Sequence, residues 1–289
     1  MHPAPSVILF TVFSGLGFGM MVFLGLGLPA ATGWLAFALY AIAFALAVGG
    51  LLASTFHLAN PKNAPKAFSQ WRTSWLSREA VLAVVTLVAM GLHAFLAVFL
   101  GMVSPLGPVA ALLALATVAA TAMIYTQLRA VPRWHQPLTP VLFLAMSLAG
   151  GALLAGQVSV AMLLLPLAGI VQLAVWAIGD GRFAAAGSTL ATATRLGGEG
   201  RVRAFEPPHT GRNYLLDEMV HVVARRHAHK LRIIALVAMA LVPVGILAID
   251  GGHVGGALAV LVHLGGALVA RWLFFAEAEH VVGLYYGKR

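Results

Sequence analysis

The stretch from His57 to Glu79 gathers the groups best suited to chemistry in this 289-residue chain: His57, Asn60, Trp71, Arg72, Trp75, Arg78 and Glu79. A long apolar run precedes it and another follows, so His57 closes one membrane helix and Glu79 opens the next. A short antiparallel connection returns the chain to the depth at which it left, which sets the imidazole and the carboxyl at one level. That placement suits the oxidation of a quinol, which releases two protons with two electrons. A neutral imidazole accepts a proton at about pH 7, and a carboxylate takes or relays another. Trp71, Trp75 and Phe68 offer an apolar wall to a ring arriving from lipid, while Arg72 and Arg78 either steer Glu79 or grip a partner. Each residue also has a plainer reading. Glu79 fits a first helical turn behind Ser77, the tryptophans fit an interfacial belt, and the arginines fit the flanks of a span.

The elements that must position these residues follow from composition. Hydrophobic residues make up 61% of the chain and charged residues only 9%, against roughly 25% charged in a soluble domain. Crossing the hydrocarbon core takes about 20 apolar residues as a helix. Segments 6–28, 33–57, 79–103, 108–128, 138–157, 158–178, 231–249 and 255–275 meet that test. None alternates with the period of two that a membrane barrel needs. The expectation is an all-α integral membrane protein, a bundle of eight transmembrane helices forming a single membrane domain over 1–289. The first segment lacks the basic flank of a cleavable signal. Gly15, Gly17 and Gly19 within it fit close helix packing. With no cysteine in the sequence, the chain holds no thiolate-ligated cluster and no disulfide, so any such centre belongs to another subunit.

Charge separates the two faces. Assigned to alternate loops, all 18 Lys and Arg fall on one side, with Arg232, Arg271, Lys288 and Arg289 at helix ends there. Asp250 is the one charge expected on the other side. The positive-inside rule makes the charged face, with both termini, cytoplasmic; a basic face would equally dock an acidic partner. The connection 179–230 is the only sizeable extramembrane piece. Leu215, Leu216, Met219, Val220 and Val223 recur there at helical spacing, which predicts an amphipathic helix over 213–230.

Two histidines lie inside spans. Counted from the expected ends, His93 and His263 both fall roughly 12–15 Å from the bare face, so haem b ligation between them is one reading. Packing or proton relay is another. A secondary transporter would show midplane ionisable residues and internal repeats; no convincing repeat is present.

Several stretches resemble the DmsC family, the membrane anchor subunits of dimethyl sulfoxide reductase and related molybdenum enzymes. The carriers are Pro5-Ser-Val-Ile-Leu-Phe-Thr-Val-Phe13, Ser54-Thr-Phe-His57-Leu-Ala-Asn-Pro61, and Ala67-Phe68 followed by Ser74-Trp-Leu-Ser77-Arg78-Glu79. Chain length and the eight-span layout agree, so the resemblance covers the whole chain. It implies a subunit of a bacterial inner-membrane complex, non-catalytic alone, that binds menaquinol or ubiquinol. It also implies a docked ferredoxin-like iron–sulfur subunit leading to a molybdopterin subunit, no haem, and no nucleic-acid partner. His57 and Glu79 take the positions that the family ties to quinol binding, with Trp71, Arg72, Trp75 and Arg78 around them. The long basic connection is larger than the pattern leads one to expect. Phe205–Tyr214 and Glu277–His280 have no counterpart role, although both belong to the charged face.

Overall fold

In lipid a backbone amide or carbonyl without a partner costs several kcal/mol, so apolar segments of this length close their hydrogen bonds internally as helices. A computed structural model describes residues 1–56, 60–198, 200–206, 209–211, 213–220 and 227–287. It shows α1 (Pro5–Gly25), α2 (Gly33–Thr55), α3 (Trp75–Phe99), α4 (Leu106–Thr126), α5 (Leu138–Leu154), α6 (Val158–Ala185), α7 (Ala228–Ile249) and α8 (His253–Ala276). Seven of these are long and apolar enough to cross a membrane. The eighth, α5, has 17 residues, about 26 Å of helix, slightly short of a ~30 Å hydrocarbon core. The chain is an all-helical membrane bundle.

Helix α1 runs through the middle, packed chiefly on α2, α4 and α5 and touching α8; α3 packs on α4, α5 on α6, and α7 on α8. Its glycines permit the close approach. A Cβ on Gly19 would overlap the carbonyl of Ser147 in α5, so the two backbones touch where any larger residue would part them.

Three boundaries differ from expectation in ways that bear on the site. Helix α3 starts at Trp75, with Ser74 as its N-cap, so Glu79 lies beyond the first turn and Ser77 is helical rather than a cap. Helix α6 continues to Ala185, which makes Asp180 and Arg182 helical instead of loop residues. Arg271 does not stand at a helix end: it is 7% exposed, inside α8. A helical side chain leans toward the N-terminus of its helix, and this carries the guanidinium back into the bundle.

In the long connection, a helix over Leu190–Thr194 and a single turn over Leu215–Met219 are described. Val220 leaves that turn, and residues 221–226 of the expected amphipathic helix lie outside the described residues. The C-terminal tail holds the connection in place. Tyr285 donates to the Ala193 carbonyl at 2.7 Å, and His209 stacks on Tyr286. The N-terminal amine donates to the Ala278 carbonyl at 2.6 Å, so the beginning of the chain and the end of α8 share one face.

Candidate functional site

The second-to-third connection is built to present its rings. After α2 the chain makes a 3-10 segment, Pro61–Phe68, capped by the Asn60 side chain, which accepts from the Lys62 amide. It then turns through 69–73 into α3. Arg78 ties this connection down: its Nε donates to the Trp71 carbonyl at 3.1 Å and its Nη2 to the Arg72 carbonyl at 2.7 Å. The same guanidinium lies 4.4 Å from the Trp75 ring centre, and that of Arg72 lies 5.3 Å from Trp71. Such cation–ring contacts attract each guanidinium to the face of its indole.

Trp71, Arg72, Trp75 and Arg78, with Val81 and Leu82 of α3, line an open pocket of about 490 Å³. That is ligand-sized, as organic-ligand sites commonly run to several hundred Å³. Four of the six residues that the resemblance ties to quinol binding therefore share one recess. His57 lies outside the described residues.

Glu79 is on another face of α3. It is 4% exposed, and its Oε1 accepts from Thr121 Oγ1 of α4 at 2.6 Å. It does not line the pocket. Helical geometry explains the split: Arg78, Val81 and Leu82 lie on one side of α3, Glu79, Ala83, Thr86 and Met90 recur along the neighbouring stripe, and Trp75 stands between the two. The second stripe faces α4, where Thr117, Thr121 and Tyr125 follow at spacings of four. Thr86 and Thr117 meet hydroxyl to hydroxyl at 3.0 Å, which extends the polar seam inward from Glu79. Thr117, Thr121 and Tyr125 were not singled out in the sequence, although their i, i+4, i+8 recurrence in an otherwise apolar span was a usable sign.

Next to this seam lies an aromatic cluster. Tyr125 packs on Trp134, Phe143, Phe274 and Phe275, and Trp134 stacks on Phe274 while donating to its carbonyl at 2.9 Å. Toward the charged face, four residues from different elements pair. Arg133 reaches Asp180 at 2.7 Å and Glu277 at 3.5 Å, and Arg232 reaches Asp180 at 2.6 Å and Glu277 at 2.7 Å. This lattice joins the α4–α5 connection, α6, α7 and the end of α8, and it gives Glu277 a structural partner set.

His93 and His263 are not brought together. His93 packs edge-on to Tyr40, 6.0 Å between ring centres, and lies against Gly107. His263 Nδ1 donates to the Met239 carbonyl, 2.6 Å away, and the ring borders Gly150. From the bare-face ends of α3 and α8 they stand six and ten residues in, about 9 Å and 15 Å. The equal depth expected from the sequence fails by about one helical turn, because α3 ends at Phe99 and α8 begins at His253. Among the described residues no group of three or more His, Cys, Asp or Glu could hold a metal ion.

A family model described as "DMSO reductase anchor subunit (DmsC)" matches residues 1–277. A sulfite dehydrogenase subunit of Allochromatium vinosum is 31% identical over 323 aligned positions, covering 99% of each chain. No solved structure matches.

Proposed function

The chain belongs to the DMSO reductase anchor subunit (DmsC) family and is thus a membrane anchor of a molybdoenzyme complex, and on that premise we propose that it is also where the complex meets the quinone pool. The observation that carries this reading is the pocket between Trp71, Arg72, Trp75 and Arg78, with the buried Glu79 carboxyl on a neighbouring stripe of the same helix. Its indoles and the Val81 and Leu82 side chains suit an apolar ring. Arg72 supplies a cation toward a quinone oxygen. Arg78, whose Nε and Nη2 donate to the Trp71 and Arg72 carbonyls, is a positioning residue.

Oxidising one quinol yields one quinone, two protons and two electrons. His57 takes the first hydroxyl proton, and Glu79, one helix face away, receives protons passed inward. The electrons leave to iron–sulfur clusters on a docked subunit and from there to molybdopterin, because this chain has no cysteine to ligate a cluster. A DMSO reductase draws electrons in and a sulfite dehydrogenase sends them out, so the same residues serve either direction, with menaquinol or ubiquinol. We place the charged face, with both termini, in the bacterial cytoplasm by the positive-inside rule and dock the iron–sulfur subunit there.

The test is steady-state oxidation of a quinol analogue by the purified complex, with activity from a soluble dye as the control. Trp75→Ala and Arg72→Ala should raise KM about tenfold, the loss of roughly 1.4 kcal/mol of binding. His57→Ala and Glu79→Gln should lower kcat about 10²-fold, the scale of a lost acid–base group. All four should leave the dye reaction unchanged. Quinol activity unaltered in an intact complex would reduce the subunit to a tether.

A further inference from the structure

A second polar site lies in the core of the bundle, away from the quinone pocket and independent of its assignment. Arg271 is buried, its guanidinium carbon 3.8 Å from the Phe143 ring centre and 5.2 Å from that of Phe274. Its Nη1 makes no hydrogen bond to protein. His263, about two turns away on the same row of α8 at the spacing 263, 267, 271, is 2% exposed, and its Nε2 is likewise unpartnered. Both residues line a small cavity of about 20 Å³, which Thr11 and Leu16 of α1 and Ser147 of α5 also line.

The imidazole's protonation pattern follows from the sequence of α7. In an α-helix the Met239 carbonyl would accept from the amide of residue 243, but that residue is a proline with no N–H. The helix opens here into a wide turn over Val237–Leu241. Gly266 lets α8 approach so closely that a Cβ there would overlap the Met239 backbone. His263 Nδ1 then reaches the carbonyl at 2.6 Å. A carbonyl only accepts, so Nδ1 carries the proton, and the neutral ring, which borders the cavity, keeps a bare lone pair on Nε2.

We propose that this cavity is a binding site for one water molecule, which accepts a hydrogen bond from Arg271 Nη1 and donates one to His263 Nε2. The complementarity is specific: one wall offers a donor and the other an acceptor, and only a ligand that does both satisfies each. A cavity of at least about 10–15 Å³ with two or more polar partners holds a water, whereas apolar cavities stay dry. The size fits a single water. The water also gives the guanidinium a hydrogen-bonded neighbour in a place where an unmet donor is costly.

The experiment is solid-state ¹⁵N NMR of the complex in lipid, with labelled histidine, together with a cryo-EM map that resolves ordered water. A protonated Nδ1, an unprotonated Nε2 correlated with a water proton, and a density peak about 2.6–3.2 Å from both nitrogens support the site. Arg271→Met should at least halve the water correlation while the Nδ1–H signal persists, showing that the ring has kept its place. A proton on Nε2, a direct His263–Arg271 contact, or no peak between resolved side chains overturns the proposal. Should Arg271→Met fail to assemble, the wild-type spectrum and map decide alone.

Discussion

Replacing Thr121 by valine is the sharpest probe of the seam behind the pocket. Valine keeps the shape of threonine but removes the hydroxyl that donates to Glu79 Oε1 at 2.6 Å. A hydrogen bond to a charged group is worth about 1.5–3 kcal/mol. If Glu79 must carry negative charge while protons pass inward, losing that bond raises the barrier by a similar amount. At roughly 1.36 kcal/mol per decade, kcat for quinol oxidation should fall about 10- to 150-fold. Thr121 does not line the pocket, so KM should stay within about twofold, in contrast to Trp75→Ala. The assay is quinol-analogue kinetics on the intact complex, with the dye reaction confirming that the catalytic subunit is unimpaired. A Thr121→Val enzyme with wild-type kcat, alongside a Glu79→Gln enzyme that is dead, would refute the idea that this bond supports proton transfer. A rise in KM instead would mean that the seam shapes the pocket.

Three further outcomes follow from the packing. Arg232→Met removes the cation between Asp180 and Glu277; the Glu277 carboxyl is 4% exposed and that of Asp180 49%. Nearly all the cost should come from the buried partner, about 3 kcal/mol, and would be read as a lower unfolding temperature in detergent. Gly19→Ala should destabilise by roughly 1–3 kcal/mol through overlap with the Ser147 carbonyl, whereas Gly49→Ala, with open space around it, should not. Burial, with the N-terminal ammonium nearby, lowers the His280 pKa below its usual value, and its Nδ1 accepts from the Val282 amide at 3.0 Å. The unfolded chain then takes up the proton first, so this contribution is present above about pH 6.5 and fades as pH falls toward the lower folded value. Hydrogen exchange at Val282, corrected for intrinsic rates, should quicken through that window; unchanged protection would contradict it.

The sequence alone determined the class of fold, because few charges and long apolar runs leave a chain no way to pair its backbone other than as membrane helices. It also singled out the connection that forms a pocket: Trp71, Arg72, Trp75 and Arg78 are neighbours along the chain, and a short turn with one helical stripe suffices to gather them. Contacts between helices were beyond its reach. Glu79 looked like a pocket residue by proximity, yet the sequence does not say that α4 lies on that side of α3, with Thr121 waiting there. Arg271 looked like a boundary charge because hydropathy locates a residue along a helix and not around it; the direction in which its side chain leans put it in the core. His93 and His263 looked like a pair because depth was the one coordinate that counting supplied. The tertiary structure fixed the other two, through close approaches at glycines such as Gly19 and Gly266 that set which helix faces meet.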